Sequence, residues 1–259
     1  MKKLSISICS DAGRVRKNNE DNFVINSHYN EKSVDFIKQE YKRSTPAVVG
    51  IFDGMGGTLN GEEASLLCAR ETTQLVHLLA ESDDAEKILR RFYGHMNRVL
   101  LRRQLETKTE IGTTACVTAF VKNEIIFTNV GDSPAFLIQD GEIQQITKDD
   151  NQAQLLLDMK TITAEQAQNH PMKNMLTQYM GMGLSADSFE PEPHIISVER
   201  KRFKDCTVVM CSDGVSGVLT ADEIMKIVDE SSEPAQALVT AALNKGSSDN
   251  VTAAVIKTK

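Results

Sequence analysis

Four aspartates stand at the ends of apolar runs that lie far apart in the sequence. Asp53 directly follows the run VVGIF, Asp132 and Asp213 follow such runs after one small residue, and Asp249 lies just before the final run at residues 251–256. An unpaired buried carboxylate is costly in free energy, so acids that converge at one edge of a sheet need a shared partner. Mg²⁺ and Mn²⁺ are suitable partners because they prefer oxygen ligands and keep several waters. The pattern therefore predicts a site for hard divalent cations.

A further acidic segment, NNEDN, contains Glu20 and Asp21 and leads into another apolar run. The histidines and cysteines show no spacing typical of zinc sites. The simpler alternative is that each aspartate is only a turn residue, because aspartate before glycine commonly forms turns. Asp140-Gly141 is such a case: it separates two predicted strands, and we assign it no function. The alternative suits any single motif but not all of them together.

The order of predicted elements indicates how these acids are positioned. Strands are predicted at residues 4–9, 22–25, 47–52, 113–121, 124–130, 135–139, 142–146, 194–198, 206–211 and 251–256. Helices are predicted at residues 62–80, 85–105 and 234–244. Another helix is predicted to begin at the capping motif at residues 220–223, and a polar region at about residues 150–180 is also predicted to be helical. The polar residues 27–46 are predicted to form a loop or an exposed hairpin arm. Adjacent strands and paired helices favour an α+β fold, a four-layer αββα sandwich of two antiparallel sheets flanked by helix pairs.

Composition narrows the class of protein. The chain has 259 residues, of which 41% are apolar and 25% charged, and its net charge is −7. That profile is typical of a globular domain, and the acidic charge argues against binding to nucleic acid. No run of about 20 apolar residues is present, so no membrane segment is expected. The five cysteines form no CxxC pair, which indicates reduced, buried thiols. We expect a cytoplasmic monomer.

Six short motifs follow one another along the chain, at residues 10–21, 50–57, 112–114, 130–133, 211–214 and 248–250. In content and order they resemble the motifs of the metal-dependent serine/threonine protein phosphatases of type 2C, the PPM family, in the form typical of its bacterial branch. The resemblance extends over residues 5–256. It implies one catalytic domain spanning residues 1–259, the same αββα sandwich, and a flap at about residues 150–180 next to the active site.

The resemblance also implies a set of metal ligands. Asp53 would bridge two Mn²⁺ or Mg²⁺ ions, and the backbone carbonyl of Gly54 would ligate one of them. Asp213 and Asp249 would complete the other site. Asp132 resembles the ligand of a third, weaker ion.

The same resemblance implies the chemistry. Glu20 and Asp21 would hold metal-bound waters, and Arg16 would bind phosphate, with Arg14 as the competing candidate. A hydroxide bridging the two ions would attack phosphorus directly, so phosphoserine and phosphothreonine would be hydrolysed without a covalent intermediate. The implied partners are phosphorylated proteins, the targets of a serine/threonine kinase, and neither nucleic acid nor membrane is expected.

Two other functions stay open at this point. A non-catalytic phosphoprotein-binding or regulatory member of the same fold is expected to lose metal-binding aspartates, whereas Asp53, Asp213 and Asp249 are all present. A different two-metal hydrolase, such as a nuclease, is disfavoured by the acidic charge and the absence of basic runs.

The chain departs from the family pattern at positions around the predicted site. Met55 stands where eukaryotic members usually carry a histidine that is proposed as general acid. Gly217 stands where many members have another acid for the third ion. The remaining departures are Pro134 for an arginine, Asp150-Asn151 for His-Ser, and Gln178 for an arginine. We expect these changes to affect substrate preference and the third ion more than the basic activity.

Overall fold

The computed structural model describes residues 3–30, 36–42, 46–55, 60–121, 124–183, 190–199 and 205–258. Within these residues twelve strands pair into two antiparallel six-stranded sheets. The first sheet contains, in spatial order, β4 (Ile37–Lys42), β1 (Lys3–Asp11), β12 (Val251–Thr258), β11 (Thr207–Cys211), β8 (Ala135–Gln139) and β9 (Glu142–Gln145). The second contains β10 (His194–Glu199), β7 (Glu124–Val130), β6 (Ala115–Phe120), β5 (Ala47–Asp53), β2 (Asp21–Ile25) and β3 (His28–Tyr29).

Helices cover the outer face of each sheet. The second sheet is covered by α1 (Gly61–Thr72), α2 (Leu75–Ala80) and α3 (Ala85–Thr107), and the first by α7 (Ala221–Glu230) and α8 (Pro234–Asn244). Three short helices complete the described chain: α4 (Gln152–Asp158), α5 (Ala164–Gln168) and α6 (Asp213–Ser216). None of the helices in the described part of the chain combines the length and apolar character needed to cross a lipid bilayer.

Three apolar cores hold the four layers together. Ile6 and Phe23 lie in the core between the two sheets, Val24 and Met96 in the core under α1 and α3, and Leu238 in the core under α7 and α8. Neighbouring strand residues point to opposite faces, so Phe23 and Val24 serve different cores. Both faces of each sheet are therefore buried, and the predicted αββα sandwich is confirmed.

The hairpin prediction at Asp140-Gly141 is also confirmed. Both residues have positive φ, 53° and 79°, which is the geometry of the tight turns that join neighbouring strands. Gln139 and Glu142 pair directly across this turn. The capping motifs at Thr163 and Thr220 are present as reciprocal side-chain and backbone hydrogen bonds.

The prediction for residues 27–46 was wrong. The described part of this segment contributes β3 to the second sheet and β4 to the first, rather than a loop or a projecting arm. Both are edge strands, and a polar, lysine-bearing sequence is what an exposed edge tolerates. Residues 31–35 and 43–45 lie outside the described part.

Two helical predictions need correction. The helix predicted at 62–80 is divided into α1 and α2, because the hydroxyls of Thr72 and Thr73 donate to the carbonyls of Cys68 and Arg70 and threonine is a poor helix former. The region at 150–180 contains only the short helices α4 and α5, joined by turns. All five cysteines are buried and free, as expected.

Replacing Tyr93 of α3 with phenylalanine is expected to lower the free energy of unfolding by about 1–3 kcal/mol. The Tyr93 hydroxyl lies 3.1 Å from the Ala115 carbonyl oxygen and 2.9 Å from the Thr128 hydroxyl, in a fully buried position. Urea unfolding of Tyr93→Phe, Thr128→Val and the double variant would measure the loss and show less than additive effects. A Tyr93→Phe variant as stable as the unmodified protein would contradict this assignment.

Candidate metal centre

Asp21 and Asp53 lie side by side at one end of the second sheet. Asp21 begins β2 and Asp53 ends β5, and the two residues oppose each other directly in the antiparallel pair. Opposed residues of such a pair have neighbouring side chains, and like charges there repel. The fold therefore places two carboxylates side by side. Their repulsion does not stabilise a sheet that binds no ligand.

Two more acids, which belong to the first sheet's loops, lie beside Asp21 and Asp53. Asp213 is the first residue of α6 and follows β11 after one residue, Ser212, and Asp249 lies two residues before β12. The charge of Asp213 raises the pKa of Asp53, so the carboxylates of the two sheets lie near each other.

The acids raise one another's pKa values. Burial raises the pKa of Asp53 well above its ordinary value, and the charges of Asp21, Asp213, Asp132 and Asp249 raise it further. The pKa of Asp213 is raised by burial and by Asp249. Bound cations would relieve this repulsion, because an opposite charge favours the ionised form.

Asp21 has one satisfied and one unsatisfied oxygen. Ser212 Oγ and Thr252 Oγ1 donate to Asp21 Oδ2 at 2.7 and 2.6 Å. Asp21 Oδ1 is buried and has no hydrogen-bond partner. Burial raises the pKa of Asp21 to about 7 although these two hydrogen bonds lower it. A buried acceptor without a partner is rare in folded proteins, and an ion or its bound water would satisfy this one.

The donor set suits hard ions. Among the described residues, no three histidine, cysteine, aspartate or glutamate side chains are grouped so that they could hold a metal ion by themselves. Protein ligands usually fill structural zinc sites, whereas Mg²⁺ is usually held by one or two carboxylates and several waters. Here the candidate ligands are carboxylate oxygens: Asp21 is directly opposite Asp53, and the charge of Asp213 acts on Asp53. These residues fit two hard divalent ions with waters as the remaining ligands.

Gly54 is required by close backbone packing. Its N–H donates to the Glu20 carbonyl oxygen at 3.1 Å. A Cβ atom at this position would collide with the carbonyl oxygens of Glu20 and Gly61, so only glycine fits. The structure therefore places Gly54 beside Asp53 in a fixed strand extension rather than in a flexible turn.

Asn250 holds the acidic N-terminal segment against the loop before β12. Its Oδ1 accepts from the Glu20 N–H, and its Nδ2 donates to the carbonyl oxygens of Ala12 and Asn18, each at 2.8 Å. Its own N–H donates to Asp249 Oδ1 at 2.9 Å. Burial raises the pKa of Glu20, which lies beside this loop. Asn250 thus fixes Glu20 and Asp249 relative to each other.

Asp132 occupies the loop between β7 and β8. Burial raises the pKa of Asp132 most, and the charge of Asp213 raises it further. The two acids are therefore near each other. The next residue, Ser133, is 2.7 Å from the Thr114 hydroxyl, which in turn accepts from the Asp53 N–H at 3.0 Å. Hydroxyl groups thereby connect the Asp132 loop to the strand that bears Asp53.

Gly217 lacks a side chain for a steric reason. Its N–H donates to the Asp213 carbonyl oxygen at 2.7 Å, and a Cβ atom would collide with that same oxygen. An acidic residue would therefore need the backbone of α6 to shift. Any third ion at Asp132 would lack a ligand from this position.

The two candidate arginines differ in their surroundings. Arg16 Nη2 lies 2.7 Å from Asp249 Oδ2, and its charge lowers the pKa of Asp213. Arg14 instead donates to Asn244 Oδ1 on α8 at 3.0 Å. The Arg16–Asp249 ion pair is about two-fifths exposed on both sides, and exposed pairs are worth little, so Arg16 can exchange its partner for an anion.

Several polar residues support the site although the sequence analysis assigned them no role. They are the hydroxyl residues and amide that flank the acids, together with one lysine whose charge lowers the pKa of Asp213: Thr114, Ser133, Ser212, Thr252, Asn250 and Lys173. Adjacency to an aspartate in the sequence is a signal for three of them, Ser133, Ser212 and Asn250. The signal is weak, because serine and threonine next to aspartate are also common in turns.

Mn²⁺ is expected to raise the melting temperature more at pH 7.5 than at pH 5. The folded state raises the pKa of Asp21 to about 7, so it binds more protons than the unfolded chain between about pH 4 and 7. Stability without metal therefore falls as the pH rises through this window, and cations compensate for the lost protons. At about 100 times its Kd, Mn²⁺ is expected to add about 5–10 °C at pH 7.5. An equal increment at both pH values in thermal scans would contradict this.

Comparison with known proteins agrees with the fold. The model of the Protein phosphatase 2C family matches residues 9–155 and 169–251. The serine/threonine phosphatase stp of Listeria welshimeri is 29% identical over 96% of this chain and 93% of its own length. The protein phosphatase PstP of Mycobacterium tuberculosis is 30% identical over 95% of this chain and 43% of its own length.

Two solved structures illustrate the similarity in three dimensions. The serine/threonine phosphatase Stp1 from Staphylococcus aureus has a TM-score of 0.82 at 27% identity, covering 97% of this chain and 94% of that one. The catalytic domain of PstP in complex with two manganese ions has a TM-score of 0.76 at 26% identity, covering 100% and 99%. With its two-sheet sandwich, its ordered motifs and these matches, the chain belongs to the protein phosphatase 2C family.

Proposed function

We propose that this chain hydrolyses phosphoserine and phosphothreonine in proteins, with two Mn²⁺ or Mg²⁺ ions and without a phosphorylated enzyme intermediate. The observation that carries the proposal is the convergence of Asp21, Asp53, Asp213 and Asp249 from both sheets, with Arg16 against them. Relatives named serine/threonine phosphatases, and one relative solved with two manganese ions, support it.

Asp53 would contact both ions, with the Gly54 carbonyl beside it, and Asp213 and Asp249 would hold one of them. The bound ions would supply Lewis acidity, which lowers the pKa of water into the neutral range and offsets phosphoryl charge. Asp132 is the ligand proposed for a third, weaker ion.

The protein's own groups would bind the substrate and orient water. Arg16 would leave Asp249 and bind the phosphoryl oxygens, since a guanidinium matches phosphate geometry. Glu20 and the unsatisfied Oδ1 of Asp21 would accept hydrogen bonds from water and so orient it toward phosphorus. Met55 has no proton to give, so the leaving group must take its proton from water.

The competing function is binding of phosphoproteins without catalysis. A protein with that function has no use for buried acids that repel one another, whereas here they are retained at a cost in free energy. The substrates we propose are phosphoproteins that a serine/threonine kinase has phosphorylated.

Replacing Asp53 with asparagine is expected to lower Mn²⁺-dependent phosphate release from a phosphothreonine peptide by more than about 100-fold, since even the partners of metal ligands are worth 10–100-fold. EDTA should abolish the activity of the unmodified protein. The matched control is Asp140→Asn in the hairpin turn, which should keep full activity. Equal rates for the Asp53 variant and the unmodified protein would refute the function.

The two arginines can be separated in the same assay. Arg16→Ala is expected to lower kcat/KM by about 10–100-fold, because a charge-assisted hydrogen bond to the phosphoryl group is lost. Arg14→Ala should stay within about twofold of the unmodified protein, because Arg14 contacts Asn244 instead. The opposite ranking would transfer the phosphate-binding role to Arg14.

A further inference from the structure

Asp150 is a buried carboxylate with every oxygen engaged. The residue is 6% exposed. Its Oδ1 lies 2.8 Å from His194 Nε2 and accepts from Gln178 Nε2 at 3.0 Å. Its Oδ2 accepts from the Gly131 N–H at 3.0 Å. A buried carboxylate is stable only when it is paired and hydrogen-bonded, and Asp150 meets both conditions.

These partners belong to three separate parts of the chain. Gly131 precedes Asp132 in the loop between β7 and β8, Gln178 lies near the end of the flap, and His194 begins β10. The backbone of Asp150 repeats two of the links: its N–H donates to the Gly131 carbonyl oxygen at 3.0 Å, and its carbonyl accepts from the Thr177 N–H at 2.8 Å. Asp150 therefore fixes the Asp132 loop to both ends of the flap.

The network continues to the acidic cluster. Asn151 caps α4 by accepting from the Gln154 N–H at 2.9 Å, and its side chain is near enough to Asp132 to lower the pKa of that carboxyl. On the other side, Gln178 Oε1 accepts from the Glu192 N–H at 3.0 Å, next to β10. A displacement of Asp150 would therefore be transmitted to Asp132 by the side chain of Asn151 and by the backbone of Gly131.

His194 is the basic side chain that contacts Asp150. The hydrogen bond to Asp150 raises the pKa of His194, which favours the charged imidazolium. The other charged groups that act on His194 are Lys148 and Asp158, which pair with each other at 2.6 Å. Asp150 is thus the direct partner of His194, and Lys148 is engaged elsewhere.

Three of the six departures from the family pattern have a common explanation. Asp150, Asn151 and Gln178 each replace a residue type usual in the family, and all three belong to this one network. We propose that Asp150 and His194 form a positioning pair that fixes the Asp132 loop and the flap beside the acidic cluster, an inference that rests on the proposed phosphatase function. Neither residue contacts the four acids at the centre of the site, so both act through Gly131, Asn151 and Gln178.

The test compares His194→Leu, which removes the donor, with His194→Gln, whose amide can replace Nε2. His194→Leu is expected to raise KM for a phosphothreonine peptide about tenfold with a smaller change in kcat, and His194→Gln to restore it to within about threefold. Lys148→Met is the matched control, because it breaks the ion pair with Asp158 and leaves Asp150 untouched.

Hydrogen exchange followed by mass spectrometry gives a readout that needs neither metal nor substrate. His194→Leu should speed exchange at the amides of Gly131 and Thr177, and His194→Gln should not. If His194→Leu does not fold, Asp150→Asn replaces it in both measurements. Equal KM values and equal exchange in the leucine, glutamine and unmodified proteins would overturn the pair while leaving phosphatase activity intact. An unmodified protein without activity would instead refute the proposed function, and the exchange result would still decide the pair.

Discussion

The repulsion among carboxylates clustered at one end of the sandwich is the constraint on which the rest of the site depends. Asp21 and Asp53 lie in strands of the second sheet, and Asp213 and Asp249 lie next to strands of the first. Packing the two sheets together therefore brings the four acids together. Folding without cations leaves the pKa values of Asp21, Asp53 and Asp213 raised.

Polar groups around the acids maintain this arrangement. Hydroxyls from the first sheet fix one oxygen of Asp21 and leave the other free, and Asn250 joins the N-terminal segment to the loop that bears Asp249. Farther out, Asp150 and His194 join the Asp132 loop to the flap. Asp21 Oδ1 is left without a protein partner, and an ion or its bound water is expected there.

The sequence predicts most of the fold because both faces of each sheet are buried. Strands such as β5 and β6 are nearly continuous apolar runs between turn residues, and α3 has a clear helical stripe. The strand β4 could not be predicted, because an edge strand is polar and resembles a loop. The break between α1 and α2 depends on two threonine hydroxyls, which local propensity alone does not resolve.

The acids themselves could be predicted from the sequence, but their partners could not. Asp53 and Asp213 stand at strand ends, which is a local pattern, whereas the Asp150–His194 contact joins residues 44 positions apart and has no local signature. The need for glycine at position 217 could not be predicted from the sequence either. A Cβ atom there would collide with the backbone of Asp213 within a folded helix turn. Contacts made by tertiary structure must be seen in three dimensions.

Calorimetric titration with Mn²⁺ at pH 6.5, repeated in buffers with different ionisation enthalpies, tests the central claim most directly. The account predicts that the unmodified protein binds two ions and releases protons to the buffer, because the ions replace the proton that Asp21, with its pKa raised to about 7, still holds at pH 6.5. It also predicts that Asp53→Asn binds fewer ions. Absence of Mn²⁺ binding, or two ions bound equally by both proteins without proton release, would contradict the account.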